Sequence, residues 1–330
     1  MTGQALATRT VRSPSTAVAD DAARRVLARH GRSFHWASAF LGAAHARDAA
    51  TLYAFCRHAD DLVDERPPVE ARRALAALRD RLASAALDTD DVGDGDHGGD
   101  DPVAAFAGLA RRRGIDPAVV RALLDTLERD TGRVRIEDMD ALLRYAYGVA
   151  STVGLMMCDV LGCDDLRARA FAIDLGVGMQ LTNVARDVLE DARRGRTYVP
   201  LPPEVDAAAI VADAPGARDA ALARVHDVLD VAARFYRSAD RGLRYLPWRA
   251  RCAITVASRV YEGIGAVVRR RGAGYWSGRC YTGPVAKLGH TARALAAVTL
   301  SPRYWRWWPG AGHDPRLHAA LSGLPGVGAS

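Results

Sequence analysis

The segment YAFCRHADDLVDE, residues 53–65, carries the first group of side chains that could do chemistry. Its polar members are spaced three or four positions apart, so on a helix they would share one broad face: Tyr53, Arg57, Asp60, Asp61 and Asp64. Carboxylates one helical turn apart repel each other, and the repulsion grows when they are buried. The stripe therefore predicts a bound cation, and the alternative is a solvated acidic face.

The segment GMQLTNVARDVLED, residues 178–191, repeats this pattern far along the chain. The residues at steps of three, four and four are Gln180, Asn183, Asp187 and Asp191. Both stripes lie among apolar residues, and a purely exposed face would not need Asn and Gln in this register. Taken together, the two segments favour a cation site over two solvated faces.

The ligand chemistry of these stripes indicates a hard metal ion. Oxygen ligands without His or Cys point to Mg²⁺, with Mn²⁺ as the alternative ion. Mg²⁺ usually keeps several waters and binds one or two carboxylates together with substrate phosphates. Two such helices facing each other would form a cavity with metal at its rim. A diphosphate suits this cavity, because the metal would stabilise the charge of the leaving group.

The elements that would position these stripes are helices. Ala, Leu and Arg dominate the sequence, and apolar residues recur at three- and four-residue spacing in nearly every segment. We expect an all-α fold with a single domain over residues 20–301. A flexible leader (1–19) would precede it, an acidic surface loop (88–101) would interrupt it, and a C-terminal tail (302–330) would follow.

Composition excludes several classes of protein. The 330 residues are 49% apolar and 25% charged, which is typical of a globular protein and not of a disordered one. We find no apolar run near the ~20 residues that span a bilayer and no secretory signal, so we expect a cytoplasmic protein. The net charge of +6 suits phosphate esters or an anionic membrane surface. No nucleic-acid recognition module is evident, so nucleic acid is not an expected partner.

Eight sequence motifs, in order, resemble the squalene/phytoene synthase family, and within it the bacterial phytoene synthases. The resemblance covers about residues 28–288. The motifs that carry it are HGRSF, YAFCRHADDLVDE, LLDTLERD, YAYGVASTVGLM, QLTNVARDVLED with GRTYVP, GLRYLP, ASRVYEGIG and GRCYTGPVAKL.

This resemblance implies an isoprenoid synthase fold with a central apolar cavity, which joins two prenyl diphosphates head to head. The Mg²⁺ ligands that it implies are Asp60, Asp64, Asn183, Asp187 and Asp191, with Asp61 in support. The catalytic residues that it implies are the aspartates 60, 64, 187 and 191 together with Tyr261. The substrate-binding residues that it implies are His30, Arg32, Ser33, Phe34, Tyr53, Arg57, Tyr145, Gln180, Asn183, Arg186, Tyr198 and Arg279.

The resemblance leaves two outcomes for the last cation of the reaction. In squalene synthase a hydride from NADPH quenches it, whereas in phytoene synthase it loses a proton. A strand followed by GxGxxG is missing here, and the GVG of residues 176–178 is better explained by close helix packing. We therefore expect no NADPH, and we expect two geranylgeranyl diphosphates to give phytoene through a cyclopropylcarbinyl diphosphate. The alternatives are a squalene or C30 diapophytoene-type synthase using farnesyl diphosphate, a cyclase and a non-enzymatic relative.

The C-terminal aromatic segment and the scattered histidines are two smaller features of the sequence. The segment SPRYWRWWPG, residues 301–310, places tryptophans beside arginines, so we expect it either to hold the protein peripherally on the inner membrane face or to cap the helical core. The remaining histidines look isolated, and we expect surface or hydrogen-bonded polar groups at His45, His58, His226, His290, His313 and His318.

Overall fold

The computed structural model describes residues 14–87, 101–305 and 312–328, and it describes only the backbone of residues 14–20, 32, 86 and 87. Its α-helices are α1 Pro14–His30, α2 Arg32–Ser38, α3 Ala43–Asp64, α4 Pro68–Leu87, α5 Pro102–Arg113, α6 Pro117–Arg129, α7 Met139–Ala146, α8 Thr152–Val160, α9 Arg167–Arg193, α10 Ala207–Val211, α11 Ala217–Gly242, α12 Trp248–Arg271 and α13 Pro284–Leu300. A π-helical turn, Tyr147–Ser151, joins α7 to α8. The 3₁₀ helices are Leu243–Tyr245, Gly272–Ser277, Pro302–Tyr304 and Pro315–Leu321.

The all-α prediction is confirmed: apart from one parallel bridge between Arg135 and Thr197, the regular elements in the described ranges are helical. The expected leader is described only from Pro14, where α1 already begins. Most of the expected acidic loop lies outside the described residues. Asp101, its last residue, caps α5 by accepting a hydrogen bond from the amide of Val103 at 3.0 Å.

Helix α9 lies at the centre of the fold and packs against α8, α11 and α12. Its contact with the π turn is very close, because a Cβ on Gly176 would lie 2.5 Å from the Cα of Ser151. A Cβ on Gly178 would lie 3.4 Å from the Tyr236 ring. The GVG triplet is therefore a helix-packing feature, as predicted, and it fixes α9 against its neighbours.

The helical stretch Met139–Val160 corrects one expectation. By length and composition this 22-residue stretch could cross a membrane, although we expected no such run. It is apolar because it contributes to the core: 56% of its most apolar window is buried, and Tyr147, Leu155 and Met156 are among the largest fully buried side chains.

The C-terminal residues pack onto the domain, contrary to the expected tail. Tyr304 is fully buried, and its hydroxyl accepts hydrogen bonds from Arg303 and Arg259 at 3.0 and 3.2 Å. Leu321 is also fully buried, and Tyr147 donates a hydrogen bond to the Pro325 carbonyl. These described C-terminal side chains are therefore part of the core. Arg306, Trp307 and Trp308 lie outside the described residues.

Candidate active site

Helix α3 presents the first acidic stripe while its apolar residues fill the core. Leu52 and Phe55 are fully buried, and the Phe55 ring stacks on Phe106 of α5 with centroids 3.8 Å apart. The stripe stays accessible: the side chains of Asp60 and Asp64 are 45% and 22% exposed. The spacing of the carboxylates predicts this separation of an accessible acidic face from a buried apolar face.

Arg57 lies between two of the α3 carboxylates. Its Nη1 is 3.2 Å from Oδ2 of Asp60, and its Nη2 donates to Asp61. Asp61 also lines a separate cavity with His58, between α1, α3 and α5. Asp61 is therefore shared between the stripe and this neighbouring cavity, whereas Asp60 lies beside Asp64, whose charge acts on it.

Helix α9 presents the second stripe, and two arginines hold one of its carboxylates. Arg186 donates from Nε to Oδ1 of Asp187 at 2.7 Å and from Nη2 to the other oxygen. Arg279 approaches the same two oxygens at 3.2 and 3.3 Å. The Tyr275 hydroxyl secures the turn before Arg279, because it donates to the Ala185 carbonyl of α9 at 2.9 Å. Forked guanidinium groups of this kind are well suited to carboxylate or phosphate oxygens.

The two stripes belong to one site, because arginines following α9 reach the carboxylate at the end of α3. Arg196 donates to Oδ1 of Asp64 at 2.7 Å, and Arg194 donates to its Oδ2 at 3.1 Å. Arg196 also approaches the backbone carbonyl of Asp130 at 3.4 Å. Sequence analysis did not single out Arg194 or Arg196. The signal was available, since Arg196 belongs to the GRTYVP motif that follows the second stripe.

Behind this arginine lie two tyrosines, the buried Tyr198 and the half-buried Tyr145. Tyr145 and Tyr198 stack with ring centroids 4.6 Å apart, and the Tyr198 hydroxyl donates to Oδ2 of Asp130 at 3.1 Å. Burial raises the pKa of Asp130 to about 6, although hydrogen bonds from both tyrosines and the charge of Arg196 oppose the shift. Tyr198 is 6% exposed, so it supports the site through Asp130 and Arg196. Asp130 is a further residue that the sequence analysis did not assign to the site.

An aromatic cluster borders the α9 stripe. The Phe34 ring lies 5.3 Å from Tyr261 and 6.2 Å from Tyr53, between ring centroids. Burial raises the pKa of Tyr261, on which the charges of Arg186 and Asp187 also act. The tyrosine is therefore a neutral group beside the arginine-bound carboxylate. Aromatic faces of this kind stabilise a desolvated cation by roughly 0.5–2 kcal/mol each.

The predicted basic segment before Phe34 lies next to this cluster. A Cβ on Gly31 would lie 2.8 Å from the Tyr53 ring, so the chain passes directly over it. His30 is exposed and Ser33 is half-buried, whereas the side chain of Arg32 lies outside the described residues. Gly31 separates α1 from α2, and this close contact leaves no room for a side chain there.

Two carboxylates carry negative charge that the arginines do not balance. Burial and the charge of Asp64 raise the pKa of Asp60 to about 6. Burial and the charges of Asp187 and Glu190 raise the pKa of Asp191 to about 7. Nearby arginines oppose both shifts without cancelling them. A site that needs a further positive charge is consistent with a divalent cation.

The amide of Asn183 supports the same conclusion. Its Nδ2 donates to Oε1 of Gln180 at 3.2 Å, while its Oδ1 is buried without a hydrogen-bond partner in the described structure. An unpaired buried oxygen is costly, and a hard cation satisfies it. The donor set of Asn183, Asp187 and Asp191 consists of oxygen atoms only. These residues therefore fit Mg²⁺.

The described residues combine an all-α fold with two acidic stripes that Arg196 connects, arginine forks and an aromatic cluster. The squalene/phytoene synthase family model matches residues 27–285. The chain is 36% identical to a phytoene synthase of Pseudescherichia vulneris (84% of this chain, 91% of that one) and 35% identical to a 15-cis-phytoene synthase of Pantoea ananas (78% and 84%). It superposes on a dehydrosqualene synthase crystal structure with a TM-score of 0.72, at 21% identity and 86% and 98% coverage. This chain belongs to the squalene/phytoene synthase family.

Proposed function

We propose that this protein condenses two geranylgeranyl diphosphate molecules head to head into phytoene, releasing diphosphate, as a step of carotenoid biosynthesis. The observation that carries the proposal is the likeness to phytoene synthases, at about 35% identity over most of the chain. The site supports it, because Arg196 joins the acidic stripe of α3 to the end of α9. Two carboxylate groups and several arginine forks suit a pair of diphosphates.

The metal in this proposal is Mg²⁺, with Mn²⁺ as the alternative ion. The residues that would hold it are Asp60, Asp64, Asn183, Asp187 and Asp191, with Asp61 in support. When bound, the ion would supply the positive charge that stabilises departing diphosphate. Asp60 and Asp191 are the members whose raised pKa values indicate the greatest need for that charge.

The arginines of the site would bind and orient the diphosphates. Arg186 and Arg279 hold Asp187 from two directions, and their remaining donors can reach phosphate oxygens. Arg57 has a buried Nε without a hydrogen-bond partner in the described structure, so it too has donor capacity left. Oriented diphosphates would ionise in order: the first C–O cleavage releases diphosphate and leaves an allylic cation. The double bond of the other prenyl diphosphate would attack this cation, and loss of a proton would close the cyclopropane ring.

The aromatic residues would protect the cations that follow. Phe34, Tyr53 and Tyr261 lie together beside Arg186, so a carbocation there would contact ring faces and not water. The resulting cyclopropylcarbinyl diphosphate loses its diphosphate in a second ionisation, rearranges and gives up a proton. None of these steps consumes a hydride, so we expect the reaction to proceed without NADPH.

A second candidate function is the C30 reaction on farnesyl diphosphate. It is favoured by the superposition on dehydrosqualene synthase. Both reactions share the diphosphate site, so they differ in the length of the prenyl tail that the helices accommodate. Assays with each donor separately distinguish them.

Peripheral contact with a membrane is part of the proposal, because substrate tails and product are apolar. We expected the tryptophan segment either to make this contact or to cap the helical core, and its described part favours the capping role: Tyr304 is fully buried and Trp305 packs on the same cluster. Strongly exposed apolar side chains follow Arg279 along the chain, at Tyr281, Val285 and Leu288. A Val285→Gln/Leu288→Gln variant should sediment less with anionic liposomes. Unchanged sedimentation would contradict contact through this surface.

The site assignment is tested by paired substitutions on α9. Asp187→Asn should abolish diphosphate release while the circular dichroism spectrum stays helical, because it weakens the contacts of Arg186 and Arg279 and removes a metal ligand. Glu190→Gln is the matched control, since Glu190 is 47% exposed and lies 3.6 Å from Arg194. Normal turnover by Asp187→Asn at saturating Mg²⁺ would refute the assignment.

A further inference from the structure

A second group of metal-ligating side chains lies at the other end of α9. Asp174 is fully buried in this helix, and it faces two histidines of the C-terminal segment. Oδ1 of Asp174 lies 2.9 Å from Nε2 of His318, and its Oδ2 lies 3.1 Å from Nε2 of His313. These histidines form a buried group, not the isolated ones that the sequence suggested. Thirteen helical residues place Asp187 about 20 Å away.

Only some of the polar atoms in this group are hydrogen bonded to one another. His318 and Asp174 are hydrogen bonded, but Oδ2 of Asp174 and Nε2 of His313 have no hydrogen-bond partner in the described structure despite their separation of 3.1 Å. The imidazole N–H is therefore not directed at the carboxylate oxygen. Ser238 of α11 is fully buried beside Asp174, and its Oγ is also without a well-aligned partner. Several buried polar atoms thus converge without satisfying one another.

The charge of the group also favours a cation. Asp174 is fully buried, and the side chains that face it from the C-terminal segment and from α11 are His313, His318 and Ser238, none of which is acidic. A buried anion with two imidazoles beside it is a common ligand set for transition metals.

We propose that Asp174, His313 and His318 bind one Zn²⁺ ion that fastens the C-terminal segment to α9. Nitrogen and carboxylate ligands suit Zn²⁺, and the spacing of the histidines, H-x₄-H, is one that zinc sites use. Tetrahedral coordination at Zn–ligand distances near 2.1 Å separates ligand atoms by about 3.4 Å. The ligand atoms here already lie within 4.8 Å of one another, so small shifts suffice.

The three protein ligands leave a fourth position for water or for the Ser238 hydroxyl. The site is structural and not catalytic, because the ligands are buried: the side chains of His313 and His318 are 14% and 6% exposed. Its effect is mechanical. The same segment places Leu321 in the core and receives the hydrogen bond of Tyr147 at the π turn.

The test uses full-length protein stripped with a chelator and returned to buffer containing millimolar Mg²⁺. Titration with Zn²⁺ should give one tightly bound ion per chain and a higher Tm, and Co²⁺ should give the visible absorption of a tetrahedral nitrogen–oxygen site. Loss of an outer-shell partner of a metal ligand already costs about 10- to 100-fold in affinity. We therefore expect Asp174→Asn and His318→Gln to lower the affinity at least about 100-fold.

Two further variants keep the result decisive. Asp60→Asn/Asp187→Asn, which alters the distant acidic stripes, should retain Zn²⁺ and the Co²⁺ spectrum. His313→Gln changes the most exposed ligand, so it gives the answer if the more buried variants fail to fold. If the wild-type protein binds no Zn²⁺ in the presence of millimolar Mg²⁺, the group contains hydrogen bonds only, and the proposal is overturned. Binding that survives His313→Gln but is lost from the double aspartate variant would also overturn it.

Discussion

Asp191→Asn should make the metal-free protein more stable while removing its activity. In the folded chain burial and two neighbouring acids raise the pKa of Asp191 to about 7, against an ordinary value near 4. The folded state therefore holds a proton that the unfolded state has lost between about pH 4 and 7. Asp191 therefore does not destabilise the folded state at low pH, where it is protonated in both states. The folded state loses stability as the pH rises from about 4 through 7.

The magnitude follows from the size of that shift. About three pKa units at 1.36 kcal/mol each give an upper bound near 4 kcal/mol above pH 7. Asp191 is only half-buried, so water and side-chain relaxation reduce the cost, and we expect about 2 kcal/mol. An asparagine carries no charge at any pH, so it avoids this cost.

Urea unfolding in EDTA measures the effect directly. The free energy of unfolding of Asp191→Asn should exceed that of wild type by about 2 kcal/mol at pH 8 and by less than about 1 kcal/mol at pH 4.5. Mg²⁺ should then stabilise wild type more than the variant. Glu190→Gln removes the smaller of the two acidic charges that act on Asp191, so it should stabilise the protein in the same direction, but by less than about 1 kcal/mol. A variant that is equally or less stable than wild type at pH 8 would refute the argument from buried charge.

Three further predictions address the arginine bridge, the helix packing and the C-terminus. Arg196→Lys keeps the charge but cannot span Asp64 and the Asp130 carbonyl, so kcat should fall about 10- to 100-fold with unchanged circular dichroism; full activity would contradict a positioning role. Gly176→Ala should cost about 1–3 kcal/mol in urea unfolding, because its Cβ would overlap the π turn. The control Gly108→Ala meets only the flexible end of an arginine and should be neutral or stabilising. Tyr304→Phe should lower stability by about 1–3 kcal/mol through two lost hydrogen bonds, and an unchanged Tm would argue against the capping role.

Local signals explain which helices could be predicted from the sequence. Local signals mark both ends of α5, because Asp101 caps its first turn, Pro102 starts it, and Gly114 ends it with a positive φ of 64°. The acidic stripes were predictable for the same reason, since spacing along a helix determines the shared face. The π turn was not, because close packing between Gly176 and Ser151 accompanies it, and such contacts leave no periodic pattern.

Long-range partners explain what the sequence could not show. Asp64 contacts Arg196, which lies 132 residues later, and Asp174 contacts His318, which lies 144 residues later. Neither pair shares a helix, so no spacing rule relates them. The buried C-terminus was misjudged on similar grounds, because a short polar segment rich in Gly and Pro resembles a tail until Leu321 is seen in the core.

The measurement that tests the proposed function most directly is the product formed from a single prenyl donor. The purified protein is incubated with geranylgeranyl diphosphate alone, with and without Mg²⁺ and NADPH, and the hydrocarbon is analysed by mass spectrometry. We predict a C40 product with the mass of phytoene that requires Mg²⁺ and is unaffected by NADPH. A product only from farnesyl diphosphate, a product that becomes more reduced with NADPH, or release of diphosphate without doubling of the carbon number would contradict the proposal.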